Sequence, residues 1–323
     1  MNNLRPDKVS VIDPISPAID RVKVLLFRPF NLSKWLVIGF CAWLAYLGSG
    51  GGGGSGSPNF NFNPPSGQSE QHHLNQEFSN AKEFILDNLF WIVPVTVFVV
   101  LLIIVISLLI TWLNSRGKFM FLHCIAENKA EIGVPWRKFK KQANSLFLFR
   151  IILGIIGFFT VGLPILGIIF LFIMMVSKTI QWAAFIPVIV IFGLFIFTLS
   201  IVLFLVQKFT MDFVVPIMFL RSSGCLAAWR QFMTTLSANK LRLALYLLFQ
   251  IVISIAIGAI IGLGFCIGCC LCCISVLMLI PYIGTVIILP LLVFKRAYSL
   301  YYLRQFGPQF DVFSRPVVSA PSP

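Results

Sequence analysis

The densest group of reactive side chains in this sequence is a run of five cysteines between residues 266 and 273. If the run is helical, Cys266, Cys269, Cys270 and Cys273 share one face, and four thiolates can bind zinc or an iron–sulfur cluster. A regular helix spreads these ligands over about two turns, and no basic residue lies nearby to stabilise thiolates. Disulfides on the outer side of a membrane, or small packing residues in a glycine-rich helix, are the alternatives. The sequence leaves all three open.

Asp212 is a second candidate for a structural or functional charge. It lies in a connection between two long apolar runs, four residues after Lys208 and four before Pro216. Charges inside a membrane segment mark ion pathways or substrate sites, whereas a Lys–Asp pair at this spacing is also an ordinary ion pair on a helix surface. Apart from Lys34 at the edge of the first run, the apolar runs carry essentially no charge. This disfavours a proton-coupled transporter or an intramembrane hydrolase.

The other reactive residues give no catalytic or cofactor signature. His72 and His73 lie in a polar, glycine-rich stretch and His123 in a basic one, without an acidic or cysteine partner at metal-ligand spacing. The sequence has neither a glycine-rich phosphate loop ending in lysine nor a nucleophile elbow. We therefore expect no enzyme activity, no cofactor and no metal beyond the cysteine candidates.

The elements that carry these residues are predicted to be membrane helices. Of 323 residues, 58% are apolar, 33 are phenylalanine and only 11% are charged, and the mean hydropathy is +0.93. Soluble domains carry about 25% charged residues, so this chain requires lipid as its solvent. Runs near the roughly 20 residues that cross a bilayer predict an all-α integral membrane protein with about six transmembrane helices: 32–47, 89–113, 151–176, 183–206, 243–265 and 274–294.

The distribution of lysine and arginine predicts the orientation. All but two of the 25 basic residues, Lys82 and Lys178, fall in the termini and in alternate connections. Such residues stay in the cytoplasm, so both termini are predicted to be cytoplasmic in the cell inner (plasma) membrane. The net charge of +14 then reflects contact with the anionic headgroups of the lipid bilayer, and we expect no nucleic-acid partner.

The same pattern divides the chain. Residues 1–31 are predicted to be a cytoplasmic tail with an interfacial helix, residues 32–303 the transmembrane domain, and residues 304–323 a second cytoplasmic tail. The first outer connection, residues 48–82, is rich in Gly, Ser, Asn and Pro. Its composition is typical of a flexible linker.

Two basic, aromatic segments precede the third and fifth runs. Each contains a Trp-Arg-x-Phe core, with Trp136 and Phe139 in one and Trp229 and Phe232 in the other. These four residues are predicted to anchor amphipathic helices at the headgroup level. Together with the amphipathic segment before the first run, they favour three repeats of cytoplasmic amphipathic helix plus transmembrane hairpin. Independent convergence of interfacial helices is the alternative.

A family resemblance is carried by Asp212-Phe213-Val214-Val215-Pro216-Ile217-Met218-Phe219, Ala227-Ala228-Trp229-Arg230 and the following run. The stretch from Phe209 to Arg304 resembles a segment of uncharacterised bacterial multi-pass families, including the membrane domain attached to some glycerophosphodiester phosphodiesterases. The resemblance implies a membrane domain without catalytic residues of its own. The phosphodiesterase barrel is absent from this sequence.

These observations predict a non-enzymatic multi-pass protein that organises the membrane or binds lipid or protein, with a membrane-protein partner or a second copy as candidate partners. The alternative is a permease or channel for a small neutral or lipidic solute. Its pathway would use the interruptions at Gly162-Leu163-Pro164 and between Pro281 and Pro290. An enzyme acting on lipid headgroups would need clustered carboxylates or histidines at one interface, which the sequence does not contain.

Overall fold

The computed structural model describes residues 9–48, 87–176, 182–270 and 280–314, and every regular element in these ranges is helical. The predicted linker from residue 49, the start of the sixth run and the tail from residue 315 lie outside the described residues. The described α-helices are α1 Ile15–Val22, α2 Leu32–Tyr46, α3 Leu89–Glu127, α4 Gly133–Lys138, α5 Lys140–Gly157, α6 Leu163–Val176, α7 Trp182–Phe209, α8 Val215–Arg221, α9 Cys225–Ala238, α10 Lys240–Cys270, α11 Pro281–Ile287 and α12 Leu289–Arg304.

Four described helical stretches are long and apolar enough to cross a bilayer. They overlap the second to fifth predicted runs, and each extends beyond its run at the end that carries lysine and arginine. The all-α membrane class is therefore supported, with four helices of membrane length among the described residues. They are Phe90–Glu127, Lys140–Leu171, Ile189–Arg221 and Lys240–Cys266.

The first predicted run forms the shorter helix α2, which lies antiparallel to α3. Its 15 residues rise about 22 Å, less than the roughly 30 Å of a bilayer core. Near its start, Lys34 Nζ donates to Asn128 Oδ1 at 3.0 Å. Near its end, Asn114 Nδ2 donates to the carbonyl oxygen of Ala45 at 2.8 Å. Helix α2 thus covers only the half of α3 between these two asparagines.

Two of the long helices contain a π-helical segment two residues before a proline. Phe158–Gly162 joins α5 to α6 ahead of Pro164, and Thr210–Val214 joins α7 to α8 ahead of Pro216. Proline has no backbone N–H, so the carbonyl four residues earlier loses its usual donor and the local winding widens. In the second segment that carbonyl belongs to Asp212.

Burial divides the molecule into two zones. The most apolar 18-residue window of the first three long helices is 0% buried, and that of the fourth is 17% buried. The buried residues concentrate instead at the basic ends of these helices and in α1, α2, α8, α9 and α12. We call residues 90–112, 151–171, 189–206 and 251–266 the apolar half, which is suited to lipid contact, and residues 9–46, 113–150, 207–250 and 288–314 the packed base.

The two ends of the described chain meet in the packed base. Ser10 and Gln305 exchange two hydrogen bonds, of 2.7 and 2.9 Å. Arg21 Nε donates to the carbonyl oxygen of Ile125 at 2.9 Å and Nη2 to that of Ala126 at 2.8 Å. These carbonyls belong to the last turn of α3, which lacks intrahelical partners for them. Helix α1, predicted to lie on the membrane surface, is therefore bound to the base by α12 and by the end of α3.

Candidate anion-binding site

A cavity of about 330 Å³ opens where the packed base meets the apolar half. Phe204, from the apolar half, forms one wall and is 64% exposed. Phe121 and Met211 form part of the opposite wall, in the base. The cavity therefore has an apolar side that is continuous with the surface suited to lipid.

The polar side of the cavity is strongly cationic. Four separate helices each bring at least one basic side chain to it, because each long helix continues past its apolar run into charged sequence. A single carboxylate, from the π-helical segment after α7, joins them. The charged lining residues are Lys118 of α3, Arg150 of α5, Lys208 of α7, Lys295 and Arg296 of α12, and Asp212.

Asp212 is held by two neighbours through one of its carboxylate oxygens. Its Oδ2 lies 2.8 Å from Lys208 Nζ and accepts a hydrogen bond of 3.1 Å from the hydroxyl of Tyr246. Gln250 Nε2 donates to the same hydroxyl at 3.0 Å, within the buried core. The Lys208–Asp212 pair with i,i+4 spacing is therefore present, but it lines a cavity and is held by a buried network.

The other four cations form no ion pair among the described residues, and Asp212 is the one carboxylate that lines the cavity with them. Arg150 Nη1 donates to the neutral Asn114 Oδ1 at 2.7 Å, and Arg296 Nη1 to the carbonyl oxygen of Met211. Lys118 and Lys295 make no hydrogen bond or ion pair within the described part of the chain. All four side chains are half-buried. Partial burial of a cation without an ion-pair partner has an unfavourable desolvation free energy, and a bound anion would offset it.

Partial burial also shifts the pKa values of the two basic residues on α12. Burial lowers the pKa of Lys295, and the neighbouring charge of Lys208 lowers it further. Burial also lowers the pKa of Arg296, which the charge of Asp212 partly opposes. A bound anion would favour the charged form of both groups and raise both pKa values.

The arrangement is suited to binding an anion. Its one carboxylate is held in an ion pair, and no cysteine, serine or histidine of the described residues lines the cavity. Among the described residues, no group of three or more His, Cys, Asp or Glu could hold a metal ion. The charges of the lining favour the electrostatic capture of an anion.

Residues 9–281 match the family model described as Family of unknown function (DUF7544). The chain belongs to this family. No curated protein and no solved structure matches the chain. The family assignment agrees with the expectation of an uncharacterised membrane family, whereas the likeness to the glycerophosphodiester phosphodiesterase membrane domain stays a prediction.

In this DUF7544 member, the four predicted anchors divide into two kinds. Phe139 and Phe232 are buried in the packed base, where Phe139 stacks on Phe219 at 4.8 Å and Phe232 on Phe213 at 5.2 Å between ring centroids. They are therefore core residues. Trp136 and Trp229 are half-buried.

Each tryptophan contacts a polar partner inside the protein. Trp136 lies 4.6 Å from the guanidinium carbon of Arg116, measured from the ring centroid. Trp229 Nε1 donates to Thr210 Oγ1 at 3.1 Å, in the π-helical segment that carries Asp212. Their role as anchors in the headgroup layer stays a prediction.

The cysteine run is only partly described. Cys266 is exposed and unpaired. Cys269 and Cys270 lie in the last turn of α10, and Cys273 lies outside the described residues. The metal, disulfide and packing interpretations of these four cysteines all stay predictions.

Sequence reasoning identified Asp212 but missed the four uncompensated cations around it. In the sequence, all four belong to the basic residues of the termini and alternate connections, whose distribution predicts the orientation. A signal was available in the absence of proline between residues 95 and 134, which lets α3 continue beyond its apolar run. A hydropathy profile does not show that four helices meet at one cavity, because it reports each segment separately.

Proposed function

We propose that this chain is a non-enzymatic multi-pass protein of the inner membrane that binds an anionic lipid headgroup in the cationic cavity. The observation that carries the proposal is the cluster of four uncompensated cations, Lys118, Arg150, Lys295 and Arg296, beside an apolar wall. Basic pockets between transmembrane helices on the cytoplasmic side are typical sites for anionic headgroups. The acyl chains would lie along the apolar half.

The orientation and the number of crossings form part of the proposal. The cationic cavity faces the side where the lysines and arginines concentrate, and we place that side in the cytoplasm together with both termini. Helix α2 and the stretch 274–294 would supply the first and sixth crossings beside the four long helices.

The test is lipid selection by the full chain purified in a neutral detergent. Native mass spectrometry after incubation with equal amounts of phosphatidylglycerol and phosphatidylcholine should show a preference for phosphatidylglycerol of about tenfold, equivalent to about 1.4 kcal/mol. The variant Lys118→Glu/Lys295→Glu changes the uncompensated charge of the cavity from four to zero, so its preference should disappear.

The matched control is Lys140→Glu/Lys141→Glu, which makes the same charge change at two exposed lysines outside the cavity. The control should keep the preference. Equal binding of both lipids by the unmodified chain, or an unchanged preference in the cavity variant, would show that the proposal is wrong. Equal elution volumes in size-exclusion chromatography verify that each variant is folded.

A permease is the second candidate, because the long helix Lys140–Leu171 is interrupted by the π-helical segment Phe158–Gly162. Interrupted membrane helices line the substrate pathways of many transporters. Liposomes that contain the full chain and release an entrapped neutral solute, or exchange a labelled lipid between leaflets, faster than empty liposomes would favour this function over simple binding.

A further inference from the structure

The charges that line the cavity indicate how many negative charges its ligand carries. The ion pair with Lys208 and the hydrogen bond from Tyr246 occupy Asp212, so this carboxylate leaves the other cations uncompensated. A phosphodiester headgroup carries one negative charge and would leave three of the four positive charges without a partner. A ligand with two negative charges on closely spaced oxygens would leave only two of these positive charges without a partner, so it fits the site better than a monoanion.

We propose, building on the lipid-binding function above, that the cavity selects a lipid whose headgroup ends in a phosphomonoester over lipids whose phosphate is a diester. A phosphomonoester carries between −1.5 and −2 charges near pH 7 and three strong acceptor oxygens. Arg150 and Arg296 can each hold two phosphate oxygens, since guanidinium groups bind phosphate in a bidentate fashion. Lys118 and Lys295 add two point charges whose ammonium groups are not committed elsewhere among the described residues.

The same phosphate chemistry occurs in soluble metabolites, and the walls of the cavity favour the lipid. Phe204 is 64% exposed beside the cationic groups, and Phe121 and Met211 also line the cavity. A soluble phosphate would leave this apolar surface uncovered, whereas an acyl chain would cover it and continue along the apolar half.

The experiment compares dioctanoyl phosphatidic acid with dioctanoyl phosphatidylglycerol, titrated into the full chain in neutral detergent. At pH 7.5 the affinity for phosphatidic acid should be about tenfold higher. The ratio should fall as the pH is lowered from 7 to 5, because protonation of the phosphomonoester, whose second pKa is about 6, removes the second charge that the site recognises. Any charge that Lys118, Lys208 or Lys295 gains on acidification attracts both lipids and does not by itself lower the ratio.

Variants separate the charges of the cavity from the general charge of the surface. Lys118→Gln/Lys295→Gln lowers the uncompensated charge from four to two and should reduce the ratio to about twofold or less. Lys140→Gln/Lys141→Gln removes two exposed charges and should leave it near tenfold. Inorganic phosphate, added as a competitor, should displace the lipid only at concentrations far above the lipid's own dissociation constant.

The possible failures can be distinguished. Equal affinity for both lipids, with both lost in Lys118→Glu/Lys295→Glu, would overturn the phosphomonoester selectivity and leave the lipid-binding function intact. Affinity for neither lipid above that for phosphatidylcholine would overturn both proposals. A ratio that does not change between pH 7 and 5 would contradict recognition of the second charge, and displacement by inorganic phosphate at equal concentration would identify a soluble ligand.

Discussion

Arg116 shows how the packed base encloses a charge without an acidic partner. Only 6% of the residue is exposed, and its guanidinium carbon lies 4.6 Å from the ring centroids of both Trp112 and Trp136. Among the described residues, its Nε has no hydrogen-bond partner. Its Nη1 makes a long hydrogen bond of 3.4 Å to the carbonyl oxygen of Trp136. Stacking between two indole rings adds to this compensation for its burial, since a guanidinium is weakly hydrated and binds the faces of aromatic rings.

We predict that Arg116→Gln destabilises the protein by about 2 kcal/mol, the size of a desolvated cation–π interaction. The measurement is the thermal unfolding midpoint of the full chain in detergent, which should fall. Arg137→Gln is the control, because Arg137 is exposed and adjacent to Trp136 in α4, and it should unfold at the unmodified temperature. Equal midpoints for the two variants would contradict the stacking argument.

Replacing the carboxylate of Asp212 is predicted to strengthen the binding of an anionic lipid. Asp212→Asn removes the one negative charge of the cavity and releases Lys208, while an amide oxygen can still accept the hydrogen bond from Tyr246. The affinity for dioctanoyl phosphatidic acid should therefore rise by about tenfold, or about 1.4 kcal/mol. Asp311→Asn breaks the Arg304–Asp311 pair of 3.0 Å, outside the cavity, and should leave the affinity unchanged. Weaker binding by the Asp212 variant would mean that the carboxylate itself contacts the ligand.

At the scale of elements, the tightest helix contact joins α2 to α3 at Gly117. A Cβ atom at this position would lie 2.5 Å from the backbone nitrogen of Ala45 and 2.5 Å from the carbonyl carbon of Leu44. Real Cβ atoms do not approach backbone so closely, so only glycine permits this separation of the helices. The approach also aligns Asn114 with the last turn of α2, where its Nδ2 donates to the carbonyl oxygens of Ala45 and Leu47 at 2.8 and 2.7 Å.

We predict that Gly117→Ala forces α2 away from α3 and lowers the unfolding midpoint, because both clashing atoms are backbone atoms that cannot rotate aside. Gly154→Ala is the matched control, since a Cβ there meets no atom within 4 Å. It should be neutral or stabilising by up to about 1 kcal/mol, the helix-propensity difference between the two residues. The prediction fails if both variants unfold at the same temperature.

The sequence predicts the apolar part of each long helix well and its end poorly. Hydropathy located the runs 89–113 and 183–206, but the helices continue to Glu127 and, through a π-helical segment, to Arg221. Hydropathy measures the preference for lipid, which ends where charges begin, whereas the helix ends only where backbone hydrogen bonding stops. Asn128, in the left-handed conformation at φ 57°, is the physical end of α3, and asparagine tolerates that conformation.

The same limit explains why the candidate site was predicted in part. Asp212 was identified from its spacing to Lys208 and Pro216, which is local along the chain. Lys118 and Arg296 are far apart in sequence and meet only because α3 and α12 both pack in the base. The predicted threefold repeat also depends on packing. Its two Trp-x-x-Phe helices differ in length, with 6 residues in α4 and 14 in α9.

At the scale of the whole molecule, the two zones constrain the path of the chain. Residues 9–46 lie in the packed base, whereas Leu89 lies at the far end of the apolar half, so the intervening chain must pass from one side to the other. The segment from residue 49 to 86 is rich in Gly, Ser and Asn. Helix α2 reaches only the border of the two zones, where Asn114 Nδ2 donates to the carbonyl oxygen of Leu47 at 2.7 Å. The crossing predicted for residues 32–47 therefore does not extend along the apolar half of α3, and it stays a prediction.

The chain between α10 and α12 must return from the apolar half to the base. Helix α10 ends in the apolar half and α12 lies in the base, so the chain returns to the base between Cys270 and Leu289. Helix α11 already packs on α2, where Trp35 Nε1 donates to the carbonyl oxygen of Val286 at 3.0 Å, and the crossing predicted for residues 274–294 stays a prediction. On the predicted topology, alkaline phosphatase inserted after residue 66 or after residue 273 should be active in a bacterial host, because both points are predicted to lie outside. Phosphatase fused at either terminus should be inactive, and a fluorescent protein there should fluoresce, since the contacts between Ser10 and Gln305 hold both ends on one side. Inactive phosphatase after residue 66 would show that α2 does not cross, and active phosphatase at one terminus alone would contradict the paired ends of the chain.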